Sequence, residues 1–195
     1  MCSKKHPADF SYIFALKKAI AAMIKSMINP MPQFFDRYIN LVEDISIFEA
    51  FERYAPDKVY TDITKLASLQ DQAYAEGKWS VKDILQHIID NERIMAYRAM
   101  RFSRNDKTTL PGYDEGLLAA NTIAHQRSIE DLMVEFNQVR QSTLSLYKSM
   151  NDEMMLRSGF AFKSEISALA LGFVIIGHPI HHMRVIEERY YPLLG

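Results

Sequence analysis

The segment "ISALALGFVIIG", residues 166–177, is apolar on nearly every face of the helix that its residues favour. A helix without a polar face has to be surrounded by other elements of the protein. We therefore expect this segment to form the first half of a central helix spanning about residues 165–188. Its most deeply buried side chains should include Leu169, Leu171, Val174 and Ile175.

Three further segments carry apolar residues at the spacing of an amphipathic helix. One covers residues 46–69, where Pro56 is expected to bend or interrupt it. The other two begin with the S-x-x-D spacing of a capping box, at Ser80 with Asp83 and at Ser128 with Asp131. No alternating pattern persists long enough to build a sheet. The fold class predicted is all-α, a four-helix bundle.

The N-terminal segment is expected to be a helical appendage to this bundle. Residues 10–28 have amphipathic spacing, and "NPMP" at 29–32 breaks the pattern, so we predict an appendage over 1–32 and a bundle domain over 33–195. Lysines inside the apolar run argue against a signal peptide or a membrane span. The helix could pack on its own domain, on a second copy in a homodimer, or on a membrane surface. A later start of translation, at Met23, Met27 or Met31, is a further alternative.

Charge and cysteine usage exclude several classes of function. The net charge is −1 and the isoelectric point is about 6.6, whereas proteins that neutralise nucleic-acid phosphates are usually basic. Nucleic acid is therefore not expected as the main partner. The single cysteine, Cys2, cannot form an internal disulfide or a cysteine zinc finger. A reducing, cytoplasmic location is predicted.

Three of the six histidines lie in "GHPIHHMRVIEERY", residues 177–190. His178 and His182 are four positions apart, so on a helix they project from one face and can hold one divalent metal ion. His181 points to one side of this pair and is a weaker candidate. A catalytic metal usually has three protein ligands and one open position, so a further ligand is needed from elsewhere in the chain.

The third histidine has three candidates. His6 lies in the appendage, His125 lies in or beside a loop, and His87 lies among the apolar residues of the second helix. A side chain facing into a bundle is the usual source of a metal ligand in this architecture, which favours His87. The alternative is a core histidine with no metal. Pro179 should also bend the helix at His178, which either aims that imidazole or spoils the pair.

Other polar residues could serve the same site. Asp90 and Asn91 follow the second-helix histidine by three and four positions, where either could orient an imidazole or a bound water. Arg98 and Arg101 could contact a carboxylated thiol or another acidic ligand. Residues 113–115 of the following loop could cover the site. For each of these, a solvated surface position or a surface salt bridge is the alternative interpretation.

Three motifs carry a resemblance to a known family. "GKWSVKDILQHIIDNERIMAYRAMRFSRND", "LPGYDE" and "GHPIHHMRVIEERY" occur in this order, and the chain resembles the DinB/YfiT superfamily of small four-helix bacterial proteins over about residues 46–191. The resemblance implies a metal ion held by His87, His178 and His182, with His181 as a neighbour. This set agrees with the helix geometry of the C-terminal pair.

The resemblance also implies an activity. Characterised members of this superfamily resemble thiol S-transferases that use bacillithiol or mycothiol, and other members are described as metal-dependent hydrolases. Nitrogen ligation suits zinc or nickel, and a metal with an open position can generate a thiolate or a hydroxide. The leading prediction is a metal-dependent S-transferase joining a small-molecule thiol to small electrophiles. The alternatives are a hydrolase and a non-enzymatic metal-dependent stress or DNA-damage protein.

Overall fold

The computed structural model describes residues 23–195. Most of the predicted amphipathic helix over residues 10–28 lies outside this range. Within it, Met23 and Ile28 are buried, and the carbonyl of Met23 accepts a hydrogen bond from the backbone N–H of Ile47 at 2.8 Å. The last residues before "NPMP" therefore pack on the bundle.

The part of the chain from residue 23 onward is mainly helical, which confirms the predicted all-α class. Three 3₁₀ helices accompany the α-helices, at Lys25–Met27, Ala124–Gln126 and Tyr191–Leu194. Two short antiparallel strands form the β-structure of this part of the chain, β1 (Ser158–Ala161) and β2 (Ser164–Ser167). The α-helices are α1 (Asp36–Ile39), α2 (Ile47–Arg53), α3 (Pro56–Val59), α4 (Ile63–Ser68), α5 (Val81–Ser103), α6 (Glu115–Ala120), α7 (Ile129–Lys148), α8 (Asp152–Leu156) and α9 (Ala168–Arg189).

Three long helices form most of the bundle, with α5 packed between α7 and α9. The helix expected over residues 46–69 is divided into α2, α3 and α4. Pro56 opens α3 at its first turn, where the missing N–H has no helical partner to lose. Asp62 caps α4 by accepting a hydrogen bond from the backbone N–H of Lys65 at 2.9 Å. The fourth side of the bundle is consequently a series of short helices.

The first half of α9 is the centre of the core, as its composition predicts. Leu169, Leu171, Val174 and Ile175 are each no more than 1% exposed. By length and hydropathy alone, Ala168–Leu194 could cross a membrane, but 67% of its most apolar stretch is buried inside the protein. This is the environment of a core helix.

Both predicted capping residues begin their helices. The Ser80 hydroxyl accepts a hydrogen bond from the backbone N–H of Asp83, and the Asp83 carboxylate accepts one from the backbone N–H of Ser80, so the capping box is complete. Ser128 accepts a hydrogen bond from the backbone N–H of Asp131 at 3.0 Å. The start of α5 at Val81 fixes which of its side chains face α9.

The β-hairpin was not predicted, because strands of four residues are too short to show an alternating pattern. Leu110 pairs with it in parallel: its backbone N–H donates to the carbonyl of Phe160 at 2.9 Å, and its carbonyl accepts from the N–H of Phe162 at 2.7 Å. The hairpin thus holds the start of the loop that leads to α6. This loop passes close to the candidate site.

Candidate metal centre

Three histidine side chains from two helices converge at one point. His87 projects from α5, and His178 and His182 project from α9. The Nε2 atom of His178 lies 3.2 Å from Nε2 of His87 and 3.0 Å from Nε2 of His182. The potential ligand atoms of all three lie within 4.8 Å of one another. The structure thus brings together the three histidines that the sequence singled out as ligands.

All three imidazoles are held in the neutral form at pH 7. Burial lowers the pKa of His87 to about 4. Burial also lowers the pKa of His182 to about 3, with a smaller contribution from the nearby His87 and His181. The pKa of His178 falls well below its usual value, mainly through burial. Neutral imidazoles are the form that donates a lone pair to a metal ion.

The spacing of these nitrogens fits a divalent cation. Ligand nitrogens about 2.0–2.1 Å from a tetrahedral zinc ion lie about 3.3 Å from each other, close to the separations of 3.0 and 3.2 Å around His178. Nε2 of His178 carries either one proton or one lone pair, so it can form one full hydrogen bond, as donor or as acceptor, with one of its two neighbours. Without a cation, at least one pair of nitrogens therefore meets with no hydrogen bond to stabilise it.

The remaining histidines lie outside this group. The ring of His181 packs against Tyr38 and His182, with centroids 5.4 and 5.2 Å apart. His125 lies in a 3₁₀ helix, and its exposed ring contacts Gln126. His6 lies outside the described residues.

Pro179 lies inside α9, which continues through it from Ala168 to Arg189. Proline has no N–H, so the carbonyl of Ile175, four residues earlier, lacks its helical partner. The Arg140 guanidinium of α7 donates to this carbonyl at 3.3 Å, and it is held by the Glu92 carboxylate of α5 at 2.9–3.2 Å. Both charged side chains are 2% exposed. A buried ion pair thus supports the helix between the core and the two C-terminal histidines.

Gly177 brings α1 against the site. A Cβ atom on this residue would lie 2.0 Å from the carbonyl oxygen of Tyr38, so only glycine permits such a close approach. The approach places the Tyr38 ring edge-to-face with His178, at a centroid distance of 5.0 Å. Tyr38 was missed by the sequence reasoning. The available signal was a glycine immediately before His178 in an otherwise apolar helix.

A cleft of about 350 Å³ opens onto the exposed side of the cluster. His182 and Trp79 contribute to its wall, and the Trp79 ring lies 4.8 Å from the ring of His87. Tyr74 and Tyr190 form another part of the wall and pack edge-to-face, with ring centroids 5.2 Å apart. Small molecules can therefore reach His182 along a wall that includes three aromatic side chains.

Asp90 and Asn91 differ in their surroundings. Asp90 accepts a hydrogen bond from Gln86 at 3.1 Å and pairs with Arg93 at 3.5 Å, and burial raises its pKa. Asn91 is 5% exposed, and its Nδ2 donates to the hydroxyl of Tyr113 at 2.6 Å. Its Oδ1 has no hydrogen-bond partner in the described part of the chain. Asn91 lies one turn from His87 on the same face of α5.

Arg98 and Arg101 also have different environments. Arg98 is 5% exposed, and it donates to the carbonyl of Pro111 at 2.9 Å, with its guanidinium over the Tyr113 ring. Arg101 pairs with Asp106 and contacts the hydroxyl of Tyr97. Arg98 therefore faces the protein interior, and Arg101 belongs to a local surface network.

The loop residues 113–115 contribute in different ways. Tyr113 is partly buried against Arg98, and burial raises its pKa to about 12. Asp114 caps α6 by accepting from the backbone N–H of Leu117 at 2.9 Å. Glu115 lies at the surface of the same region.

The fold and this site define a class of protein: a helical bundle with three converging histidines on two facing helices. The sequence matches the family model of the DinB superfamily over residues 35–186. The chain belongs to the DinB superfamily.

The fold is also found among solved structures. A similar structure is that of YfiT from Bacillus subtilis, described as "a probable metal-dependent hydrolase with an unusual four-helix bundle topology". The TM-score is 0.64 at 17% sequence identity, over 75% of this chain and 85% of that one. Among curated proteins, no sequence matches this chain.

Proposed function

We propose that this chain is a metal-dependent enzyme that joins a low-molecular-weight thiol to small electrophiles at His87, His178 and His182. The observation that carries the proposal is the convergence of three neutral imidazoles, two of them buried (His87 and His178) and one partly exposed (His182). Within residues 23–195, no carboxylate or protein nucleophile is hydrogen-bonded to them. The sequence has one cysteine, Cys2, which lies outside that range.

The donor set decides what chemistry the site can support. A zinc or nickel ion held by three neutral imidazoles keeps its full charge and an open position, and lowers the pKa of a thiol or water bound there. A free thiol has a pKa near 8.5 and water one of about 15.7. Zinc on three histidines can lower the pKa of bound water to about 7 as well, so this donor set supports both S-transfer and hydrolysis. The resemblance to thiol S-transferases of the superfamily is what selects S-transfer.

The surrounding side chains have roles in orientation and exclusion of water. The rings of Tyr38 and Trp79 pack against His178 and His87 and shield these imidazoles from solvent. Tyr113 accepts a hydrogen bond from Asn91, one turn from His87, and its raised pKa keeps it protonated at pH 7. The neighbouring cleft is large enough for a small molecule.

Hydrolysis is the second candidate function. The description of YfiT as a metal-dependent hydrolase favours it, because that protein shares the fold. The same three histidines would then serve to activate water for attack on an ester or amide. A carboxylate acting as general base would strengthen this candidate. Asp90, the acidic residue closest in sequence to His87, is instead bonded to Gln86 and Arg93.

The test is a two-substrate assay on protein loaded separately with zinc, nickel, manganese or iron. Bacillithiol, glutathione, coenzyme A and cysteine are each offered with a reactive electrophile, and conjugate formation is followed against the uncatalysed rate. Acceleration that is lost in His87→Ala and retained in His181→Ala supports S-transfer. Turnover of an ester or amide panel instead identifies a hydrolase. A chain that binds metal and turns over neither class is a binding protein.

A further inference from the structure

A second cavity, of about 400 Å³, lies on the side of the bundle bounded by α5, the loop before α6 and the β-hairpin. Its wall is mainly apolar and includes Phe34, Phe35, Met95 and Phe162. The backbone hydrogen bonds between the Leu110 segment and the hairpin hold one side of this wall in place. The cavity is therefore built into the fold.

One buried cation lies in this apolar wall. Arg98 is 5% exposed, and it contacts the carbonyl of Pro111 at 2.9 Å, the sulfur of Met95 at 3.6 Å and the ring of Tyr113. No carboxylate lies within ion-pair distance of it among the residues from 23 to 195. Among the described residues, these contacts leave other N–H groups of its guanidinium without an acceptor.

Arg140 provides an internal comparison. It is similarly buried, yet both oxygens of Glu92 and the carbonyls of Tyr54 and Ile175 accept its hydrogen bonds. Burying a cation without an anionic partner is costly. A planar guanidinium with free N–H groups is also the side chain best suited to bind a carboxylate through two hydrogen bonds. Arg98 thus has the properties of a ligand-binding residue.

We propose that this cavity binds a small monocarboxylic acid with an aromatic body, and that Arg98 binds its carboxylate. The phenyl rings of Phe34, Phe35 and Phe162 form apolar walls that match an aromatic group. Glu115 lies at the exposed edge of the cavity and would repel a second negative charge. The class of ligand is therefore a monoanion. This site does not depend on the proposed metal-dependent activity.

The test uses 4-fluorophenylacetate and its uncharged analogue 4-fluorophenylacetamide, each titrated into the full chain and followed by fluorine NMR. The metal-free protein should bind the acid at least about tenfold more tightly than the amide, the ratio expected for one charged hydrogen-bonded contact. Arg98→Met should lose that preference, and Arg98→Lys should keep part of it. The matched control is Arg104→Met, because Arg104 lies on the surface and bonds Ser103 and Ser149.

Two further variants separate folding and metal effects from ligand binding. Phe162→Ala changes a side chain that is 59% exposed, so it should weaken binding of the acid with little effect on thermal unfolding. His182→Ala removes a proposed metal ligand and should leave binding of the acid unchanged. Binding of the acid therefore tests this cavity whether or not the proposed metal-dependent activity is found. Equal binding of acid and amide, unchanged affinity in Arg98→Met, or no binding of the acid overturns the proposal.

Discussion

Replacing Arg140 by methionine tests whether the buried ion pair supports the histidine-bearing part of α9. The substitution keeps much of the side-chain volume and removes the charge. It leaves the Glu92 carboxylate, 2% exposed, without its partner. It also leaves the carbonyl of Ile175 without a donor, because Pro179 cannot supply one.

The expected loss is large. Removing one partner of a buried ion pair costs about 3–5 kcal/mol in the free energy of unfolding. For a chain of this length, each kcal/mol lowers the melting temperature by roughly 2–4 °C. Arg140→Met should therefore melt roughly 6–20 °C below the wild-type protein.

A double variant, Glu92→Leu with Arg140→Met, is the matched control. It removes both charges, so much of the lost stability should return. The unsatisfied Ile175 carbonyl remains, at a cost of about 1–3 kcal/mol, and zinc affinity should stay below that of the wild type. Urea and thermal unfolding of the metal-free proteins measure the change in stability, and calorimetric zinc titration measures the change in zinc affinity. A single variant within about 1 kcal/mol of wild type, or a double variant no more stable than the single, would refute this reasoning.

Three other outcomes follow from the site. His182→Ala should abolish stoichiometric zinc or nickel binding in a calorimetric titration, whereas His181→Ala should retain it. Gly177→Ala should push α1 away from α9, because its Cβ would overlap the Tyr38 carbonyl. The free energy of unfolding, measured in urea, should fall by at least about 1–3 kcal/mol. A urea midpoint equal to that of the wild-type protein would contradict this packing. Burial lowers the folded-state pKa of His87 to about 4, so the unfolded chain binds protons that the folded chain does not. The free energy of unfolding of the metal-free protein should therefore be constant, as far as His87 is concerned, above about pH 6.5 and should fall progressively as the pH drops towards 4. Urea unfolding across that range would measure the fall.

Local sequence signals were enough for the long helices and the core. The serines at positions 80 and 128 mark helix starts, because a capping hydroxyl binds a backbone N–H only three residues away. The apolar run 166–177 predicts a buried helix, since no face of it favours water. The pairing of His178 with His182 follows from the pitch of one helix. The division of residues 46–69 into three helices was only partly visible, through Pro56.

The tertiary structure decided the contacts between residues distant in the sequence. His87 meets His178 across 91 positions, and Arg140 reaches the carbonyl of Ile175 across 35. Helical periodicity tells which face of a helix is apolar, but the depth and rotation at which two helices pack depend on side chains throughout the bundle. The support of α9 at its proline and the cavity beside Arg98 exist only once that packing is complete. The physical reason is that capping and periodicity act within a few residues, whereas a site is assembled by the burial of whole helices.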